Sequence, residues 1–260
     1  MPAPPPLRSR RSWATAAIGS FAAILLQATV AWGELTVGAA VSLREPVNEF
    51  AALHERATGK RVRLVFGASS ALAAQIRAGA PLDLLLSADA EISDALFARG
   101  EVELPLVFAS NRLVVVVAQD VSVPVEAPAD LTHAALRRLA IPARAVPVGR
   151  YARAWLEDRS LLDSLRPRIV QTEHARATLA AVDQGNAQAA IVYRTDARLA
   201  RRARIAFEIA AEEHPPIRYA ATVVRGGDAA AAQLFLTQLA SPEGRDALER
   251  LGFAPLAAVP

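Results

Sequence analysis

Three apolar runs between Leu35 and Gly100, each passing through small or polar residues into a helical pattern, constrain this chain most. Leu35–Ala39 leads through Ala40-Val41-Ser42 into a helical stretch from Leu43 to about Thr58, which Gly59 closes. Arg61–Phe66 alternates like a half-buried strand and turns at Gly67-Ala68-Ser69 into a helix running from Ser70 to Ala78. Leu82–Ser87 ends at Ala88-Asp89, and Ala90–Gly100 reads as a third helix. Strand and helix in strict alternation require a parallel sheet covered by helices on both faces. Serine at two of the turns reads as helix capping. Ser42 and Glu45 have capping-box spacing, and Ser69 stands where an N-cap is expected.

The pattern resumes further on. Arg112–Ala118, with four consecutive valines, reads as a strand covered on both sides. A proline-bearing loop over Asp120–Asp130 follows, then a short helix from Leu131 to Leu139 and a brief strand at Ala140-Ile141. Val146-Pro147-Val148-Gly149 opens a helix carrying Tyr151, Ala154 and Trp155 on one face. Ile169-Val170 is a strand, Thr172-Glu173-His174 opens a helix, and Ala189–Tyr193 is a strand that Thr195-Asp196 turns into the next helix. His214-Pro215-Pro216 breaks the chain before a strand at Arg218–Val224 and two final helices. Ser241-Pro242-Glu243 starts the last of these, and Gly252 stands past its end. The strands at 112–118 and 218–224 are the expected crossings between two lobes. One lobe is then discontinuous, 34–113 plus 218–260, and the other is 114–217.

Residues 1–33 read as a signal peptide. Arg8, Arg10 and Arg11 precede an apolar run from Trp13 to Val30, and small residues near Ala31 suit a cleavage site. The arginine pair admits a twin-arginine route as well as the general one. With no cysteine in the chain, there is no lipid anchor and no disulfide, so a soluble periplasmic protein is expected. Setting aside the three leader arginines, the net charge of +3 falls to about zero, and no basic block marks a nucleic-acid partner.

Five junctions therefore share one form, a strand passing through small or polar residues into a helix start. They lie at Val41-Ser42, Gly67–Ser70, Pro147–Gly149, Glu173–Ala175 and Tyr193–Thr195. Ligands of open parallel sheets bind beyond the carboxyl ends of the strands. Helix N-termini bring unbonded backbone N–H groups there, and these with a few hydroxyls suit a small oxyanion. Arg150 and Arg194 are the residues to watch should the ligand be an organic acid. Glu173 and Arg176, three apart, read as a surface pair. His54, His133, His174 and His214 are scattered without metal-ligand spacing, so no cation site is expected, while His174 could tune binding with pH.

These segments, in this order, resemble the periplasmic molybdate-binding proteins of ABC transporters over essentially all of 34–260. Ala39–Leu43, Phe66–Ser70 with Leu72–Ile76, Ala80–Leu84 with Ser87–Asp89, Val146–Ala152, Glu173–Arg176, Ile191–Tyr193 and Ser241–Gly244 carry the likeness. The resemblance implies a two-lobed α/β binding-protein fold of type II. Each lobe would be a mostly parallel sheet flanked by helices, with the ligand in the cleft between them. It implies that the hydroxyls of Ser42 and Tyr193, the hydroxyl and amide of Ser69, and the amides of Val148 and Ala175 bind molybdate or tungstate. It further implies a monomer without cofactor that hands its anion to a membrane permease. Val41, Ala68, Val148 and His174 depart from the residues usual in that family. The alternatives are the same scaffold for sulfate, another oxyanion or an organic acid, and, remotely, a serine hydrolase acting through Ser69. No G-x-S-x-G elbow, P-loop or dinucleotide motif supports an enzyme.

Overall fold

The computed structural model describes Met1 and residues 34–255. The expected signal peptide therefore lies outside the described residues. The first stretch forms β1 (Leu35–Ala40), a 3-10 turn at Val41–Leu43, α1 (Arg44–Thr58), β2 (Val62–Gly67), α2 (Ser69–Arg77), β3 (Leu84–Ser87) and α3 (Ala90–Ala98). It continues through β4 (Leu106–Ser110), β5 (Leu113–Ala118), β6 (Leu139–Pro142), α4 (Pro147–Asp158), α5 (Leu162–Leu165), β7 (Ile169–Thr172) and α6 (Ala175–Asp183). The last part holds β8 (Ala189–Tyr193), α7 (Arg194–Ala197), β9 (Ala203–Glu208), β10 (Tyr219–Val223), α8 (Ala229–Ala240), α9 (Pro242–Arg250) and β11 (Ala254–Pro255).

Two sheets result. The first has the order β11-β4-β10-β3-β1-β2 and the second β7-β6-β8-β5-β9. Their parallel parts are β2-β1-β3 and β7-β6-β8, whereas β10 and β5 run antiparallel to both of their neighbours. The sheets are thus mixed rather than mostly parallel, because each takes in a strand that has just arrived from the other. Burial follows position. The inner strands β1, β3, β10, β5, β6 and β8 are buried along their whole length, while β2, β7 and β9 at the edges are not. Continuous apolar runs such as Val114–Val117 are what a strand covered on both faces requires.

The chain passes between sheets in short links, not in the strands themselves. Asn111-Arg112 joins β4 to β5, and residues 209–218 join β9 to β10. The helix expected over Leu131–Leu139 does not form. A 3-10 turn at Pro128–Thr132 stands at its start instead, with the Asp130 carboxylate accepting from the Glu126 and Ala127 amides at 2.9 Å. Beyond the turn, the Arg168 guanidinium donates to the carbonyls of Thr132 and His133, at 2.9 and 3.0 Å. Those carbonyls need no helical partners, so burial of Leu131 and Leu136 wins over local helix propensity. Strands β4, β9 and β11 are additional to those expected, β4 on the apolar run Leu106–Ala109 and β9 as a half-exposed edge.

Candidate functional site

The carboxyl ends of β1, β2 and β3 open onto the 3-10 turn, α2 and Ala88, while those of β6, β7 and β8 open onto α4, α6 and Tyr193. Both sets meet at one small cavity, where ≈ 20 Å³ is open to the centre of a water-sized sphere. Its wall includes Ser42, Ser69, Val148, Ala175 and Tyr193 together with Ala88 and His174. All five residues singled out for an oxyanion are therefore brought together, although 151 positions separate the first from the last. No lysine, arginine, aspartate or glutamate lines the cavity. Its size suits one compact ion.

The two serines do not act as the expected caps. Ser42 sits inside the 3-10 turn, and α1 begins after Leu43 without a side-chain cap. Ala68 occupies the N-cap position of α2, so Ser69 is its first residue. Each hydroxyl is instead held from behind. Ser69 Oγ accepts from the Ala88 amide at 2.9 Å, and Ser42 Oγ lies 3.2 Å from the Tyr219 hydroxyl. Ser69 Oγ, which already accepts from the Ala88 amide, keeps its own proton for another partner.

The opposite wall uses mostly main chain. Val148 and Ala175 lie in the first turns of α4 and α6, where amides have no intrahelical acceptor. Helix α4 can approach the end of β6 only because residue 149 is glycine. A Cβ there would stand 2.5 Å from the Pro142 carbonyl oxygen and closer still to that of Ala143. His174 is the N-cap of α6, its Nδ1 accepting from the Ala177 amide at 3.0 Å, which places the ring proton on Nε2 when it is neutral. Tyr193 is fully buried, yet its hydroxyl has no partner among the described residues. Burial, with Tyr219 and Tyr151 nearby, raises its pKa well above the ordinary tyrosine value, so it stays a donor. A buried, unsatisfied hydroxyl facing a cavity costs free energy that a ligand oxygen would recover.

Two arginines on the second-sheet side tie the walls together. Arg150, two residues after Val148, bonds Asp89 and reaches Glu91 Oε2 at 2.6 Å. Arg176, next to Ala175, bonds Asp196 and makes a forked pair with Glu45. Both join helices flanking the second sheet to helices flanking the first, on either side of the cavity. Arg176 therefore does not form the surface pair with Glu173 that its spacing suggested. Burial pushes the Asp196 carboxyl up to about 6, against the pull of Arg176. Burial also raises Asp89, opposed by Arg150. Arg194 pairs with Glu208 at 2.7 Å, so neither arginine considered for an organic acid reaches into the cavity.

The histidines bond elsewhere. His54 faces Gln238, His133 the Ala135 amide, His174 the Ala177 amide and His214 the Pro215 carbonyl. None of them pairs with Ser42 or Ser69. Among the described residues, no group of three or more metal-ligating side chains stands together, and no helix is long and apolar enough to cross a membrane. The Tyr219 and Asn111 contacts behind Ser42 gave no signal in the sequence, because each residue lies far along the chain from the group it serves.

Residues 35–254 match the family of bacterial extracellular solute-binding proteins. The molybdate-binding protein ModA of Escherichia coli is 30% identical over 230 residues, covering 85% of this chain and 89% of the relative. ModA of Haemophilus influenzae is likewise 30% identical, over 85% of this chain and 90% of its own length. Among solved structures, the substrate-binding domain of a putative molybdenum ABC transporter from Clostridium difficile is 28% identical with a TM-score of 0.66, covering 86% of this chain and 99% of that one. The periplasmic molybdate-binding protein of Azotobacter vinelandii superposes with a TM-score of 0.76 at 22% identity, over 85% and 99% of the two chains. The sulfate-binding protein SubI of Mycobacterium tuberculosis does so with 0.75 at 14%, over 86% and 87%. The last two show the fold alone, a two-lobed binding protein of type II.

Proposed function

The chain belongs to the bacterial extracellular solute-binding proteins and is ModA-like, and from that premise we propose that it binds molybdate, and tungstate with it, for delivery to an ABC permease. The observation that carries the reading is the cavity wall. Ser42, Ser69, Val148, Ala175 and Tyr193 line one small space with no carboxylate in the wall, and in this reading their hydroxyls and first-turn amides supply the donors. A wall whose amides can only donate, with no carboxylate beside them, favours an anion that carries no proton of its own. Helix N-termini add partial positive charge without a basic side chain. The commitment of Arg150 and Arg194 to carboxylates speaks against an organic acid. The relatives that carry the name molybdate-binding protein support the choice among oxyanions.

In this reading the lobes are 34–113 plus 218–260 and 114–217, and they close on the anion because it contacts both. Residues 1–33 direct the chain to the periplasm, where it acts as a monomer without cofactor and catalyses nothing. The test is thermal unfolding of the chain with molybdate, tungstate, sulfate and phosphate at equal concentration. Molybdate and tungstate are expected to raise the midpoint most, by about 2.7 kcal/mol of stabilisation at a hundredfold excess over Kd. A larger shift with sulfate, or a shift with none of the four, overturns the assignment.

A further inference from the structure

Ser42 is held by a chain of buried groups that begins at the link between the sheets. The Arg112 amide donates to Asn111 Oδ1 at 2.9 Å, which fixes the orientation of that side-chain amide. Asn111 Nδ2 then points its two protons at Thr195 Oγ1, 2.9 Å away, and at the Tyr219 hydroxyl, 3.1 Å away. Because Tyr219 Oη accepts from Asn111, its own proton has one acceptor among the described residues, Ser42 Oγ at 3.2 Å. The opposite polarity, with Ser42 donating to Tyr219, would leave the tyrosine proton buried without an acceptor. Tyr219 is fully buried and lines no cavity among the described residues, so water is not at hand to take its proton.

We infer that Tyr219 is a positioning residue for the oxyanion site: directed by Asn111, its hydroxyl fixes Ser42 as a donor toward the cavity and thereby selects fully deprotonated anions over protonated ones. The inference rests on the oxyanion reading of the cavity. Ser42 contacts the ligand, and Tyr219 acts only through it. An anion that keeps a proton, such as hydrogen phosphate, needs an acceptor in the wall. A Ser42 hydroxyl free to turn provides one, whereas a hydroxyl that already accepts from Tyr219 has its proton directed into the cavity and is the poorer acceptor. The same logic holds at Ser69, where the locking donor is the Ala88 amide and cannot be removed by a side-chain change.

The experiment is calorimetric titration of the wild-type chain, Tyr219→Phe, Ser42→Ala and the double variant with molybdate and with phosphate. Tyr219→Phe keeps the ring and removes only the locking proton. It is expected to weaken molybdate about tenfold and to weaken phosphate less, so that the ratio between them narrows about threefold or more. The double variant is expected to bind molybdate no more weakly than Ser42→Ala, because two residues acting through one contact are not additive. A purely structural effect of Tyr219 would lower both anions equally and add to the serine loss, and either result overturns the inference. Should Tyr219→Phe fold poorly, Asn111→Ser, which keeps a local acceptor for the Arg112 amide, frees the Tyr219 proton and is expected to narrow the same ratio. An unchanged ratio there overturns the inference too. A wild-type chain that binds neither molybdate nor phosphate overturns the oxyanion reading and this inference with it. A wild-type chain that binds while the variants match it overturns the inference alone.

Discussion

The two walls of the cavity offer the proposed anion donors made of different materials. On the side of the first sheet the donors are side-chain hydroxyls, Ser42 and Ser69, each bonded from behind to the rest of its lobe. On the side of the second sheet they are main-chain amides at the starts of α4 and α6, with Tyr193 as the one hydroxyl, and that hydroxyl has no partner among the described residues. In the first wall the groups that would hold the ligand also hold the fold. In the second wall the helices are held by packing, by the His174 cap and by the Arg150 and Arg176 ion pairs, and the Tyr193 hydroxyl is left unsatisfied. Affinity and stability should therefore be coupled in the first wall and separable in the second.

The strongest way to break this contrast is to displace the main chain of the second wall. Gly149→Ala puts a methyl group against the Pro142 and Ala143 carbonyls and forces α4 away from β6. It is expected to cost ~1–3 kcal/mol of stability through overpacking and to weaken molybdate about a hundredfold through loss of the Val148 amide, the value of a hydrogen bond to a charged group. Titration and thermal unfolding of the variant check both, and retained affinity would remove α4 from the site.

Ser69→Ala comes next and tests the coupling in the first wall. It strands the buried Ala88 amide, so unliganded stability should fall by ~1–3 kcal/mol while affinity falls about tenfold or more. Loss of stability with full affinity would make Ser69 a structural residue only. Tyr193→Phe is the converse. It removes a hydroxyl without a protein partner, so the unliganded melting temperature should hold or rise while affinity drops about tenfold. A fall in stability comparable to that of Ser69→Ala would erase the distinction between the walls.

The smallest expected effect on binding is that of Val148→Ala. Its side chain is buried, so truncation should cost ~1–3 kcal/mol of stability. Its contribution to the anion is an amide, so affinity should stay within about threefold of wild type. An affinity loss as large as that of Ser69→Ala would mean that the valine side chain, not the main chain, shapes the cavity.

Much of this molecule was readable without coordinates, and the reason is local. Strand periodicity, the glycines after α1 and α9, and the capping of α9 by Ser241 depend on residues within a few positions of one another. The strand-to-helix junctions are local too, and once they are known to lie at the carboxyl ends of parallel strands, Ser42, Ser69, Val148, Ala175 and Tyr193 fall into one place. Where local signals conflicted with distant partners they misled. Leu131–Leu139 scans as a helix, but Arg168 from another segment takes up its carbonyls. Arg176 scans as a partner for Glu173, but Glu45 and Asp196 claim it. Ser42 and Ser69 scan as caps, but their hydroxyls bond Tyr219 and Ala88.

The amino-acid sequence by itself determined the alternation of strands and helices, the two-sheet architecture and the identity of the residues at the five junctions. Only the tertiary structure decided how those residues are polarised. Which hydroxyl accepts from behind, which stays unsatisfied, and which arginines bridge the walls all depend on pairs up to 177 positions apart. Hydrogen-bond direction is a property of the buried network as a whole, and the network that joins Asn111, Tyr219 and Ser42 exists only after β1, β4 and β10 have come together in the first sheet.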